Sequence, residues 1–207
     1  MGEVQKSFPL FPLGLVLLPT EVVPLHIFEE RYRTMIGECL EENRPFGILW
    51  LADDGLRDIG CTADVTQVME QMEDGRSNIL VQGGHAFRLL KRIDDLAYPA
   101  GEVEFLDDEE DADGDEEAAA EARESYADLV ERVTDARPSA GEITALDAYG
   151  MAATIDFASD SKQALLELRS EDDRMRMVAD LFAQTMKRLD YMEKAGERAR
   201  SNGKVRF

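Results

Sequence analysis

Serine followed three residues later by lysine is a spacing used by serine nucleophiles with a lysine base. It occurs twice in this chain, at Ser159 to Lys162 and at Ser201 to Lys204. The first serine lies where a helix is expected to begin, a position that favours serine as a cap. The second lies in a polar tail. Neither is accompanied by the SDN and KTG elements that complete such a site. No GxxxxGK[ST], GxSxG or HExxH pattern occurs in the sequence, so no phosphate-cradling loop, nucleophile elbow or zinc helix is expected. The chain reads as a non-enzyme with no cofactor.

Metal-ligating types are equally sparse. The two histidines, His26 and His85, fall at the end of a predicted strand and after Gly83-Gly84 in a predicted turn. Both read as local hydrogen-bonding residues. Cys39 and Cys61 sit in no CxxC spacing and read as buried small hydrophobes in a reducing, cytoplasmic compartment. Asp111-Ala112-Asp113-Gly114-Asp115 is similar to the opening of a calcium loop but lacks its spaced ligands and closing glutamate. No metal site is expected.

What remains is binding by apolar side chains. Phe28, Tyr32, Trp50, Met69 and Met72 are the candidate polypeptide-binding residues: the aromatics lie near the expected barrel and the methionines on one long strand. Methionine is unbranched and polarizable, which suits a surface that accepts varied partners. The competing assignment for each is a place in the core.

The elements that must position these residues divide at an acidic run. Before it, short apolar segments at Phe8–Leu13, Val22–His26 and Phe46–Ala52, a long alternating segment at Ile59–Met72, and returns at Asn78–Val81, Phe87–Ile93 and Glu102–Leu106 predict about seven strands. Phe28, Tyr32, Met35, Ile36 and Leu40 have helical spacing and predict one inserted helix ending near Asn43–Pro45. Many short strands with one helix predict a small, nearly closed barrel over residues 1–106. Residues 107–117 carry nine acidic side chains in eleven and predict a solvated linker. Residues 118–195 carry apolar stripes for about four helices, predicting a bundle, and 196–207 form a polar tail. The fold class is α+β.

The residues in order resemble one family. Phe8-Pro9-Leu10-Phe11-Pro12-Leu13, Leu17-Leu18-Pro19 with Val22-Val23-Pro24-Leu25, and Phe28-Glu29-Glu30-Arg31-Tyr32 are similar to the opening elements of the N-terminal region of Lon proteases. Asp58-Ile59-Gly60-Cys61, Leu80-Val81-Gln82-Gly83 with Phe87-Arg88, and Lys162-Gln163-Ala164-Leu165-Leu166-Glu167 continue the match nearly to the end. The resemblance implies a PUA-like β-barrel joined to a helical bundle, a stand-alone version of the Lon substrate-binding domain without ATPase or peptidase. The function it implies is recognition of exposed apolar polypeptide segments, as an adaptor or weak holdase. Its partners would be unfolded or partly folded polypeptides and a protease or chaperone.

Charge weighs on the alternatives. PUA-like barrels elsewhere bind RNA, but a net charge of −21, from 44 acidic against 23 basic residues, repels a polyanion or an anionic membrane. A small-ligand sensor at the barrel mouth is the other alternative. No apolar stretch is long enough to cross a bilayer. Oligomeric state is not legible in the sequence.

Overall fold

The computed structural model describes residues 3–93, 95–109 and 114–202. Its six strands are β1 (Val4–Leu13), β2 (Val22–Ile27), β3 (Phe46–Ala52), β4 (Gly55–Gln71), β5 (Ser77–Ile93) and β6 (Ala100–Phe105). They form one sheet in the order β2-β5-β4-β3-β1-β6. β6 also pairs with β5, so β1, β3, β4, β5 and β6 form a closed circuit with β2 outside it. Among the described residues, only β1 and β3 pair in parallel.

Closure places the alternating apolar residues inside. Phe8, Leu10, Leu49, Phe87 and Val103 form the barrel core, with Phe8 meeting Phe87 edge-on at 5.8 Å. Pro24 is accommodated because β2 lies at the sheet's end, where a missing donor interrupts no central ladder.

The seven predicted strands become six because Asn78–Val81 and Phe87–Ile93 belong to one strand, β5. Gly83 does not turn the chain. A Cβ there would lie 2.0 Å from the carbonyl oxygen of Leu18. Glycine marks a close backbone approach, at which Gly83 donates to Glu21 O at 2.8 Å and accepts from Thr20 N–H at 2.9 Å. His85 is therefore a strand residue.

The inserted helix is α1 (Glu30–Glu42), which buries Tyr32, Met35, Ile36 and Cys39. It ends at Asn43, whose left-handed φ of 48° suits asparagine. The remaining helices are α2 (Glu116–Thr134), α3 (Ala140–Thr144), α4 (Ala148–Ala152), α5 (Ser159–Glu167) and α6 (Glu171–Asn202). The sequence predicts one helix from Ile143 to Phe157; α3 and α4 replace it.

The chain forms two compact units, and their boundaries differ from the predicted ones. The first joins Met1–Glu110 to Tyr149–Ser170; the second joins Asp111–Ala148 to Glu171–Phe207. Residues 149–170 thus associate with the barrel rather than with a four-helix bundle. The reason lies in α5: Lys162 pairs with Glu21, Gln163 Nε2 donates to Ile59 O on β4 at 3.2 Å, and Leu165 and Leu166 are buried.

In the second unit α2 and α6 lie alongside one another. Arg176 binds Asp115 near their starts, and Arg132 binds Glu193 farther along, so the two helices run parallel. Ala118, Ala122, Tyr126, Leu129, Met175, Val178 and Phe182 fill the space between them.

The acidic run is ordered at both described ends. Glu109 N–H donates to Arg169 O at 2.8 Å, and Asp115 caps α2 by accepting from Ala118 N–H at 2.9 Å. Glu116 and Glu117 occupy the first turn, where the helix dipole favours negative charge. Residues 110–113, with most of the calcium-like stretch, lie outside the described residues.

Candidate functional site: an apolar groove on the barrel

A groove of about 510 Å³ opens on the first unit, where the end of β1, the β2–α1 junction and the β3–β4 hairpin converge. The volume falls within the usual range for small-molecule pockets. The β1 motif supplies Leu10, Phe11 and Leu13, and the hairpin supplies Leu51 and Leu56. Phe28 comes from the β2–α1 junction and Tyr32 from the first turn of α1. Tyr32 is 5% exposed and stacks on Phe11 with ring centroids 4.0 Å apart, making a fixed floor. Phe28 is 58% exposed and Leu51 52%, so they offer apolar surface to solvent. Exposed large hydrophobics gathered at one concavity are the pattern of an interaction site rather than of scattered surface residues.

Charged groups flank the apolar surface. Arg31 lies over the Tyr32 ring at 4.6 Å and pairs with Glu29 at 2.8 Å. Burial pushes the Tyr32 phenol up, against the opposing pull of Arg31 and with a smaller push from Glu29. Arg92 also lines the groove, as does His26. The His26 ring stacks on Phe28 at 5.8 Å and 20°, and its Nδ1 lies 2.7 Å from Asn78 Oδ1. Asn78 Nδ2 in turn donates to Glu70 Oε2 at 2.9 Å. The sequence reading of His26 as a hydrogen-bonding residue matches this geometry.

The structure brings together two of the five candidates. Phe28 and Tyr32 line the groove; Trp50, Met69 and Met72 do not. Trp50 is half-buried, with the Arg57 guanidinium 5.3 Å from its ring centroid. Met69, 46% exposed, lies on the outer half of β4, beyond the residues that pair with β3, whereas half-buried Met72 follows the strand's end at Gln71 and is not on it as the sequence predicts. Leu51 and Leu56 were not singled out in the sequence. The one signal available was an apolar residue on each side of the tight Asp53-Asp54-Gly55 turn.

The chemistry-bearing types are otherwise occupied. Lys162 is committed to Glu21, so the Ser159–Lys162 spacing provides no free base. The second such pair includes Lys204, outside the described residues. Both cysteines are free and buried. His85 lines a separate cavity of about 320 Å³, with Asp107, Asp108 and Arg169. Among the described residues no group of three or more His, Cys, Asp or Glu side chains is placed to hold a metal. No helix among the described residues is long and apolar enough to cross a membrane.

Comparison with known proteins agrees with this picture. Residues 7–184 match the family model described as the ATP-dependent protease La (LON) substrate-binding domain. A Lon protease of Paraburkholderia phytofirmans is 26% identical over 89% of this chain, and Lon protease 2 of Myxococcus xanthus is 21% identical over 87%. The matched region is 25% and 24% of those two proteins, so the chain spans about a quarter of their length. The crystal structure of a Lon N-terminal domain protein from Xanthomonas campestris superimposes with a TM-score of 0.64 at 22% identity. It covers 84% of this chain and 97% of its own. The N-terminal domain of Mycobacterium avium complex Lon protease gives 0.64 at 21% identity, covering 86% and 98%.

Proposed function

This chain belongs to the LON substrate-binding domain family, and from that premise we propose that it is a non-catalytic binding protein. It recognises exposed apolar segments of unfolded or partly folded polypeptides in the groove on the barrel. The observation that carries this reading is the half-open concavity in which Phe28 and Leu51 stand exposed over a buried Phe11–Tyr32 stack. A native protein keeps its large apolar side chains inside; an unfolded one presents them. The groove therefore discriminates folding state without reading a fixed sequence.

The energetics suit transient capture. Burying a large apolar side chain contributes about 1.5–3 kcal/mol. Two or three such side chains, less the cost of association, give micromolar or weaker binding. The net charge of −21 keeps copies of a protein with exposed apolar surface apart. In a cytoplasmic setting the protein acts as an adaptor that passes clients to a protease or chaperone, or as a weak holdase.

The test is to titrate the protein with one client held either native or permanently unfolded, and to follow binding and client aggregation. Capture of the unfolded form alone supports the reading; equal indifference to both forms removes it. The groove volume also fits a small ligand. A metabolite that raises the melting temperature and blocks client capture would assign the groove to a sensor instead.

A further inference from the structure

We propose that His26 is a polar anchor of the groove: its Nε2 accepts a hydrogen bond from a backbone N–H of the extended apolar segment bound there. This inference rests on the reading of the groove as a polypeptide site.

The direction of the Glu70–Asn78–His26 chain follows from its far end. The Glu70 carboxylate only accepts, so the group facing it at 2.9 Å is the Asn78 amide nitrogen. The other end of the amide, Oδ1, then faces His26 Nδ1 at 2.7 Å and is itself only an acceptor. The hydrogen of the neutral ring must therefore sit on Nδ1, which leaves Nε2 with a lone pair. Stacking against Phe28 at 20° orients the ring plane.

An extended segment entering the groove brings backbone N–H groups away from water, and each needs an acceptor. Among the charged side chains of the lining, Arg31 and Arg92 only donate, and Glu29 accepts from Arg31 at Oε2. The Nδ1–H tautomer makes His26 a neutral ring acceptor beside them.

The probe is a rhodamine-labelled peptide of alternating leucine and serine. His26→Phe is expected to bind it about threefold to tenfold more weakly than wild type, the worth of one hydrogen bond. Asn78→Ala, which releases the ring from its fixed tautomer, is expected to weaken binding as well. His85→Gln keeps the wild-type affinity, because His85 lies in the other cavity. Methylating the peptide's backbone nitrogens is expected to cost wild type that same factor and His26→Phe nothing. Nitrogen-15 shifts of the free protein near neutral pH should show the Nδ1–H tautomer at His26.

Equal peptide affinity in wild type and His26→Phe would overturn the inference and leave the groove reading intact. An Nε2–H tautomer would overturn it independently of any binding. Failure of wild type to bind the peptide would overturn both.

Discussion

Lys162 donates from Nζ to Glu21 Oε1 across 141 residues of sequence, and the two side chains are only 11% and 10% exposed. Glu21 Oε2 also accepts from Leu18 N–H at 3.0 Å. One carboxylate thus ties α5 to the turn between β1 and β2. Removing one partner of an enclosed ion pair leaves a charge with neither water nor counterion. Lys162→Met is expected to cost about 3–5 kcal/mol in urea unfolding, and the double variant Glu21→Gln/Lys162→Met to recover much of that loss. A cost below about 1 kcal/mol would class the pair with exposed surface bridges.

Two glycines should respond in opposite directions to alanine. At Gly83 a Cβ meets the Leu18 carbonyl oxygen at 2.0 Å, and backbone cannot move aside as a side-chain end can. Gly83→Ala is expected to cost at least about 3 kcal/mol. Gly37 lies inside α1 with nothing within 4 Å of the added atom. Gly37→Ala is expected to stabilise by about 0.5–1 kcal/mol. Thermal melts of both variants check the pair.

These positions show what the sequence made legible. The β1 proline motif, the alternation in β4 and the α1 stripe locate the barrel and its helix, because burial of one face imposes period on the residues. Gly83-Gly84 looked like a turn because glycine has one appearance for two causes, a bend and a close approach. The fate of 149–170 was hidden for a different reason. An apolar stripe says that a helix face is buried but not against what, and the long-range Lys162–Glu21 and Gln163–Ile59 contacts decide it. In the groove, Phe28 and Tyr32 were visible as aromatics at a helix start. Leu51 and Leu56 were not, since exposure of a leucine is set by the neighbours that fail to cover it.

The cysteines give a chemical prediction. Burial pushes the Cys39 thiol up to about 11, with Arg44 opposing and Glu38 and Glu42 reinforcing, and burial pushes Cys61 higher still. Only the thiolate reacts. At mildly alkaline pH the native protein is expected to show no thiol reactive to a disulfide reagent, and both thiols should appear once it is unfolded in denaturant. A fast-reacting native thiol would contradict this.

Acid should act on the second unit through two caps. Asp115 is held below the usual carboxylate range by the Ala118 N–H and then by Arg176. Glu142 is lowered by the Ser139 hydroxyl and backbone N–H, which complete a capping box with α3. A group with a depressed folded value binds its proton more readily when unfolded. Its contribution is therefore present above the ordinary carboxylate value and is lost as pH falls through the lower folded value. Helical stability is expected to decline on acidification from about pH 5 to about pH 3. Asp115→Asn and Glu142→Gln should each reduce the slope, followed by far-ultraviolet circular dichroism during denaturation.

The central claim is that the groove, rather than the surface around Met69 and Met72, captures unfolded polypeptide. It is tested most directly by measuring the affinity of one permanently unfolded client for wild type, for Phe28→Ser and for Met69→Ser/Met72→Ser. All these side chains are exposed or half-buried, so unfolding midpoints should stay close to wild type. Loss of one large apolar contact is expected to weaken the Phe28→Ser complex by about tenfold or more, with the methionine variant unchanged. Unaltered binding by Phe28→Ser, or loss confined to the methionine variant, would contradict the account.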